Sequence, residues 1–189
     1  MKFLWKLQQM VKKVGLSGEE RTPQDIDIHH QDTEQALRHY FATPQLHIKR
    51  FFGYTQAEIQ QELQLRIIEQ ERMSSLELLA ALEAIFRLDY LQRGLYSKQK
   101  DQLSKHFRSL YKEKEKRVSL EEDIFEAWKI FGSVKPELSG DLKGAFKYRH
   151  WLAHGRYWTP KTGRKYDYFG LQTLTTLVLQ NFPFQSPHT

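Results

Sequence analysis

The chain has no cysteine, which excludes disulfide frameworks, thiolate metal sites and cysteine nucleophiles together. The absence fits a reducing compartment, and a cytoplasmic location is the expectation. No stretch approaches the roughly 18 consecutive apolar residues that span a bilayer. Glycine (10) and proline (6) are sparse among the 189 residues, so neither a collagenous nor a Gly/Pro-rich low-complexity chain is in question. Alternating apolar and polar residues are nearly absent, which argues against sheet. An acidic excess is also missing: Lys and Arg total 29 against 23 Asp and Glu. The net charge of +6 and pI near 9.4 permit a polyanionic partner without requiring one.

Hydrophobic residues make up 40% of the chain, charged residues 28% and aromatics 13%, with a mean hydropathy of −0.66. That is a soluble globular balance with many aromatics sharing helices with charge. Met1 to Val14 reads MKFLWKLQQMVKKV, with apolar residues at helical spacing and Lys2, Lys6, Lys12 and Lys13 on the other face. Lys6, Gln8 and Gln9 interrupt the apolar run that a secretion signal would need. This helix is expected to pack on the domain or on a second copy of it; a membrane-surface role is the weaker alternative.

Gly15 to Gln31 is polar, contains Gly15, Gly18 and Pro23, and reads as a linker or irregular arm. Asp32 to Ala42 reads as a short helix and Ile48 to Tyr54 as an extended piece. Thr55 caps a helix over Gln56 to about Arg72. Ser74 or Ser75 caps the next, whose wide apolar face (Leu78, Leu79, Leu82, Ile85, Phe86, Leu91) makes it the central core helix. Gly94 lies near its end. Lys98 to Arg117 is a charged helix. Ser119, with Glu122 placed for a capping box, opens another through Phe125, Trp128 and Phe131. A loop containing Pro136 precedes a helix capped by Ser139 and stopped by Gly155. Arg156 to Tyr168 is a polar aromatic loop, Gly170 to Asn181 the last helix. The expected fold is all-α, a bundle of about five core helices with an N-terminal helical arm. It divides into an arm (1–54), a helical domain (55–182) and a frayed tail (183–189).

The positive charge is concentrated. Arg93 to Arg117 holds nine Lys or Arg against three acids, but its KEKEK run reads as a solvated helix face. Lys147 to Lys165 holds six and no acid, interleaved with Tyr148, Trp151, Tyr157, Trp158 and Tyr166. Cations for phosphate beside aromatic faces for bases suit single-stranded RNA.

The most specific stretch is KYRHWLAHGRYW, Lys147 to Trp158. RNA can be cut without a metal when its own 2′-hydroxyl attacks the adjacent phosphorus. That route needs a base, an acid and a cation for the phosphorane oxygens. Histidine titrates near neutral pH and arginine offers a fixed fork to phosphate. Arg149 is therefore the candidate phosphate clamp and His154 the candidate acid or base, with His150 a second proton-transfer or orienting group. Arg156, Tyr157, Lys147, Lys161 and Trp158 are candidate substrate contacts. Glu83 or Arg87 is a candidate to reach across and position Arg149; within their own helix, Glu83–Arg87 and Asp89–Arg93 are spaced as ion pairs. His29, His30, His39, His47, His106 and His188 have no partner pattern and read as surface residues. His150 and His154 also have the spacing of two zinc ligands on a helix, but Trp151 stands where a metalloprotease needs glutamate and no third ligand is near.

Arg149 followed by four residues and His154 resembles the R-x4-6-H motif of the HEPN superfamily. Its Ala-His-Gly ending, the following Arg-Tyr-Trp, and the upstream LEAIFRLDYLQR and LEEDIFEAWK segments are also similar to stand-alone bacterial HEPN proteins. The resemblance covers about Leu76 to Asn181. It implies a homodimeric, metal-independent endoribonuclease with an active site shared across the dimer, without cofactor, in a toxin–antitoxin or phage-defence setting, its products a 2′,3′-cyclic phosphate and a 5′-hydroxyl. An antitoxin is a possible partner. Some relatives carry a tyrosine two residues after the histidine that a partner nucleotidyltransferase modifies; here that position is Arg156, and Tyr157 follows. The competing expectation is a helical RNA-binding or protein-interaction module without turnover. Five residues turn about 140° around an ideal helix, so Arg149 and His154 share a site only if the helix ends near Ala153.

Overall fold

A computed structural model describes residues 16–42 and 49–185. The expected N-terminal basic helix, His47 and His188 lie outside these residues. Within them the chain is all-α, with helices α1 (Pro23–Ala42), α2 (Gln56–Leu91), α3 (Gln102–Lys114), α4 (Glu126–Phe131), α5 (Pro136–Ala153) and α6 (Tyr168–Asn181). Two π-helical segments, Gln92–Tyr96 and Leu120–Phe125, extend the end of α2 and lead into α4.

Helix α1 begins inside the stretch read as a linker. Pro23 occupies the first turn, where a missing N–H costs nothing. Thr22 and Asp25 form a reciprocal cap: Asp25 N–H donates to Thr22 Oγ1 at 3.1 Å and Thr22 N–H to Asp25 Oδ2 at 3.3 Å. The period was obscured because a histidine takes a core position. His30 is buried, stacks on Tyr168 with ring centroids 3.8 Å apart, and meets Ser74 Oγ at 3.0 Å. It is not the surface residue expected.

The two helices expected over Gln56–Arg72 and beyond Ser74 are one helix of 36 residues, about 54 Å long. Thr55 and Glu58 form its capping box as expected. Ser74 and Ser75 do not cap; both are buried in mid-helix. Ser75 Oγ donates to the Glu71 carbonyl at 2.7 Å and Ser74 Oγ bonds His30, so each hydroxyl is satisfied without a break. The first half of α2 packs Ile59, Leu63 and Ile67 against Phe41 and Phe51. Residues 49–54 form turns, not an extended piece. The second half carries the main core through Leu78, Leu79, Leu82 and Phe86.

Asp101 caps α3, so the charged helix is shorter than Lys98–Arg117. Ser119 does cap the next segment, accepting from Glu122 N–H at 3.2 Å. The reciprocal carboxylate is Asp123, which accepts from Ser119 N–H at 2.8 Å. The i→i+5 register, with Ile124 N–H to the Ser119 carbonyl, shifts the partner by one residue. Helix α5 starts at Pro136 rather than at Ser139, again with proline in the first turn.

The tail expected to fray is docked as far as it is described. Phe182 and Phe184 stack on each other and meet Phe86 and Trp128 edge-on or tilted. Gln185 N–H donates to Asp89 Oδ1 at 2.6 Å, and Arg93 Nη2 donates to the Pro183 carbonyl at 2.6 Å. Asp89 and Arg93 themselves form a buried ion pair, 2.9 Å between Nε and Oδ2. Burial pushes the Asp89 carboxyl up to about 6, against the pull of Arg93 and of the Gln185 N–H.

Arg93→Met should cost about 3–5 kcal/mol, because it strands a buried carboxylate. The folded-state pKa of Asp89 lies above its ordinary 3.8. The carboxyl therefore favours the fold when protonated, fully below about pH 4, and that contribution is lost as pH rises through about 6. Without Arg93 the pKa rises further, so urea unfolding should show a smaller penalty at pH 5 than at pH 8. Equal penalties would show that Asp89 does not take up the proton.

Candidate functional site

Helix α5 carries Lys147, Arg149 and His150 in its last two turns and ends at Ala153, with His154 as its C-cap and the expected stop, Gly155, directly after it. His154 has left helical geometry, Gly155 adopts φ +81° and Arg156 φ +58°. Arg156 N–H donates to the Trp151 carbonyl at 3.2 Å and His154 N–H to the His150 carbonyl at 3.1 Å, a Schellman-type ending. The turn leaves His154 exposed against His150, with imidazole centroids 4.2 Å apart.

Arg149 is held from across the bundle. Its Nη2 lies 3.0 Å from Glu83 Oε2 on α2. The other oxygen of Glu83 accepts from Arg87 Nε at 2.7 Å. One carboxylate thus sits between two guanidiniums and leaves an excess positive charge. Glu83 is the cross-helix contact foreseen for Arg149. Arg87 instead reaches the Val118 carbonyl at 3.3 Å. Arg149 Nε is buried without a hydrogen-bond partner among the described residues.

His150 stands between two cavities. One is lined by Arg149, His150 and three carboxylates, Glu83, Glu121 and Glu122. The other, about 480 Å³, is lined by Lys147, His150, Trp158, Thr159, Pro160, Lys161 and Glu121. The second wall carries two exposed cations, Lys147 and Lys161, and in the first Arg149 stands among the three carboxylates. His154 lines neither cavity. The structure brings together Lys147, His150, Trp158 and Lys161 in one wall, and Arg149 with His150 in the other.

Of the other expected contacts, Arg156 is committed elsewhere. Arg156 pairs with Glu69 of α2 at 2.7 Å, and this contact holds the Glu69 carboxyl below the usual carboxylate range. Arg156 therefore ties the loop to the long helix. Tyr157 is 86% exposed and meets Trp158 edge-on at 4.6 Å. Trp151 Nε1 donates to the Trp158 carbonyl at 2.5 Å, fixing the loop against the helix end.

Sequence reasoning missed Glu69 and Glu121. Glu69 is 87 residues from its partner, and no local pattern announces it. Glu121 lies in an acidic helix start that reads as dipole compensation. Among the described residues no group of three or more His, Asp or Glu is placed to hold a metal ion. No helix among them is long and apolar enough to cross a membrane. No protein-family description, curated protein or solved structure matches the chain.

Gly155→Ala should cost about 1 kcal/mol and lower Tm by about 2–4 °C, through backbone strain alone. A Cβ at Gly155 meets nothing within 4 Å. Calorimetry that found no change would show that the turn relaxes freely.

Proposed function

We propose that this chain is a metal-independent endoribonuclease of the HEPN type, working as a homodimer on RNA in the cytoplasm, in a defence or toxin–antitoxin setting. The observation that supports this most is the pair of adjacent imidazoles at the end of α5, beside an arginine already oriented by Glu83. One imidazole takes the proton from the ribose 2′-hydroxyl as that oxygen attacks phosphorus. The other gives a proton to the departing 5′-oxygen. Arg149 stabilises the charge that develops on the phosphorane oxygens. The products are a 2′,3′-cyclic phosphate and a 5′-hydroxyl, and no oxidant or cofactor enters the balance. Lys147, Lys161 and Trp158 lead the strand to His150 from the basic side.

The carboxylate already on Arg149 favours a second reading, a module that holds RNA or protein without turnover. The two readings separate on one experiment. Purified protein is incubated with total RNA and tRNA in excess EDTA. The wild type should cleave at the rate seen without chelator and leave cyclic phosphate ends. His154→Ala should lose at least about 100-fold and Arg149→Ala about 100- to 1,000-fold in rate, with RNA affinity retained. Cleavage by His154→Ala at the wild-type rate would end the catalytic reading.

A further inference from the structure

A further cavity lies on another side of α5, and none of the candidate catalytic residues lines it. It measures about 720 Å³ and is walled by α2 (Ile68, Glu71, Arg72, Ser75), by Tyr148 and Trp151 of α5, and by the loop from Thr159 to Tyr168. The volume falls within the range of about 300–1,000 Å³ for small-ligand sites.

Three aromatic rings form a ladder along one wall. Tyr148 is central, stacked on Trp151 at 5.6 Å and on Tyr166 at 5.5 Å, with interplanar angles of 26° and 20°. Trp151 and Tyr166 are half-buried, so the ladder is open to the cavity at its outer members. Tyr148, between them, is 8% exposed. Tyr166 lies across α5 because Gly144 leaves room: a Cβ there would fall 2.2 Å from the Tyr166 hydroxyl.

The charge of the lining favours an anion. Arg72, Lys161, Arg164 and Lys165 face Glu71 and Asp167. The Asp167 carboxylate is occupied in capping α6 through the Gly170 N–H at 2.7 Å. Arg164 lies over the Tyr166 ring at 4.9 Å and pairs with Asp141. Lys161 and Lys165 are exposed, with no ion-pair partner among the described residues. Thr159, Pro160 and Lys161 line both this cavity and the one containing His150.

We propose that this cavity holds one nucleotide, its planar ring against the Tyr148–Trp151–Tyr166 ladder and its phosphate at Lys161 and Lys165. Aromatic faces take any base by stacking, and flanking cations take the phosphate. The ligand chemistry is shared by a nucleotide within an RNA strand and a free mononucleotide. For a strand, which rests on the RNA reading above, Lys161 passes the chain from this cavity to the His150 wall.

The test is equilibrium binding of AMP, GMP, inorganic phosphate and a ten-nucleotide RNA to the full chain, read by tryptophan fluorescence and calorimetry. Tyr166→Ala, Lys161→Glu and Lys165→Glu are compared with wild type. We expect each cavity variant to weaken a nucleotide-bearing ligand at least about fivefold. Weakening of the RNA alone identifies a strand subsite; weakening of AMP or GMP identifies a site for the free nucleotide. Wild-type affinities in all three cavity variants overturn the proposal, as does binding of inorganic phosphate as tight as that of the nucleotides. Nucleotide binding lost in these variants while the wild type cleaves no RNA would sink the nuclease reading and leave this one standing. Cleavage with unaffected affinities would do the reverse.

Discussion

The buried Asp89–Arg93 pair is the constraint on which the lower half of the bundle depends. Arg93 sits where α2 passes into π-helical geometry and donates to Asp89, to Ser104 of α3 and to the Pro183 carbonyl. Its guanidinium also lies 5.1 Å from the Trp128 ring. A single side chain thereby fixes the exit of the central helix, the start of the next one and the path of the chain beyond α6. Taking both charges out of water is costly, and the arrangement persists because nearly every donor and acceptor on them is used.

From that anchored end, α2 runs back along the whole molecule and sets the geometry of the site. Glu69 and Glu83 are 14 residues apart, about 21 Å along the axis and nearly on one face. Glu83 holds Arg149 in the last turns of α5, and Glu69 holds Arg156 just beyond its end. Two carboxylates of one rigid helix therefore bracket the turn that releases His154. The position of that turn follows from packing between α2 and α5 as much as from the glycine that permits it.

The all-α class, the apolar face of α2 and the Thr55, Ser119 and Gly155 boundaries were legible in local patterns, whereas Glu83 and Arg87 were equal candidates for Arg149 and only Glu83 pairs with it. The failures have physical causes. Ser74 and Ser75 resemble a cap in any sequence, but here their hydroxyls find partners inside an unbroken helix. Pro23 and Pro136 look like interruptions and are first-turn residues. His30 breaks the apolar period of α1 while occupying the core. In the site, the basic and aromatic residues around α5 were readable because they are contiguous. What could not be read was their division into two walls of one helix, or the assignment of Arg156 to Glu69, since both depend on contacts far apart in sequence.

Glu83, shared between Arg87 and Arg149, has a consequence for recognition. A free arginine on a helix surface samples many rotamers, and an anion that binds it must freeze them, at a cost on the order of 2 kcal/mol. The Arg149 side chain is ordered when the protein folds, so that entropy is spent before any ligand arrives. The carboxylate that orders it is also divided with a second cation and so does not cancel the charge. The guanidinium presents a stationary, still positive fork: a preorganised receptor whose selectivity rests on geometry fixed in advance, and whose association need not wait for a side chain to search.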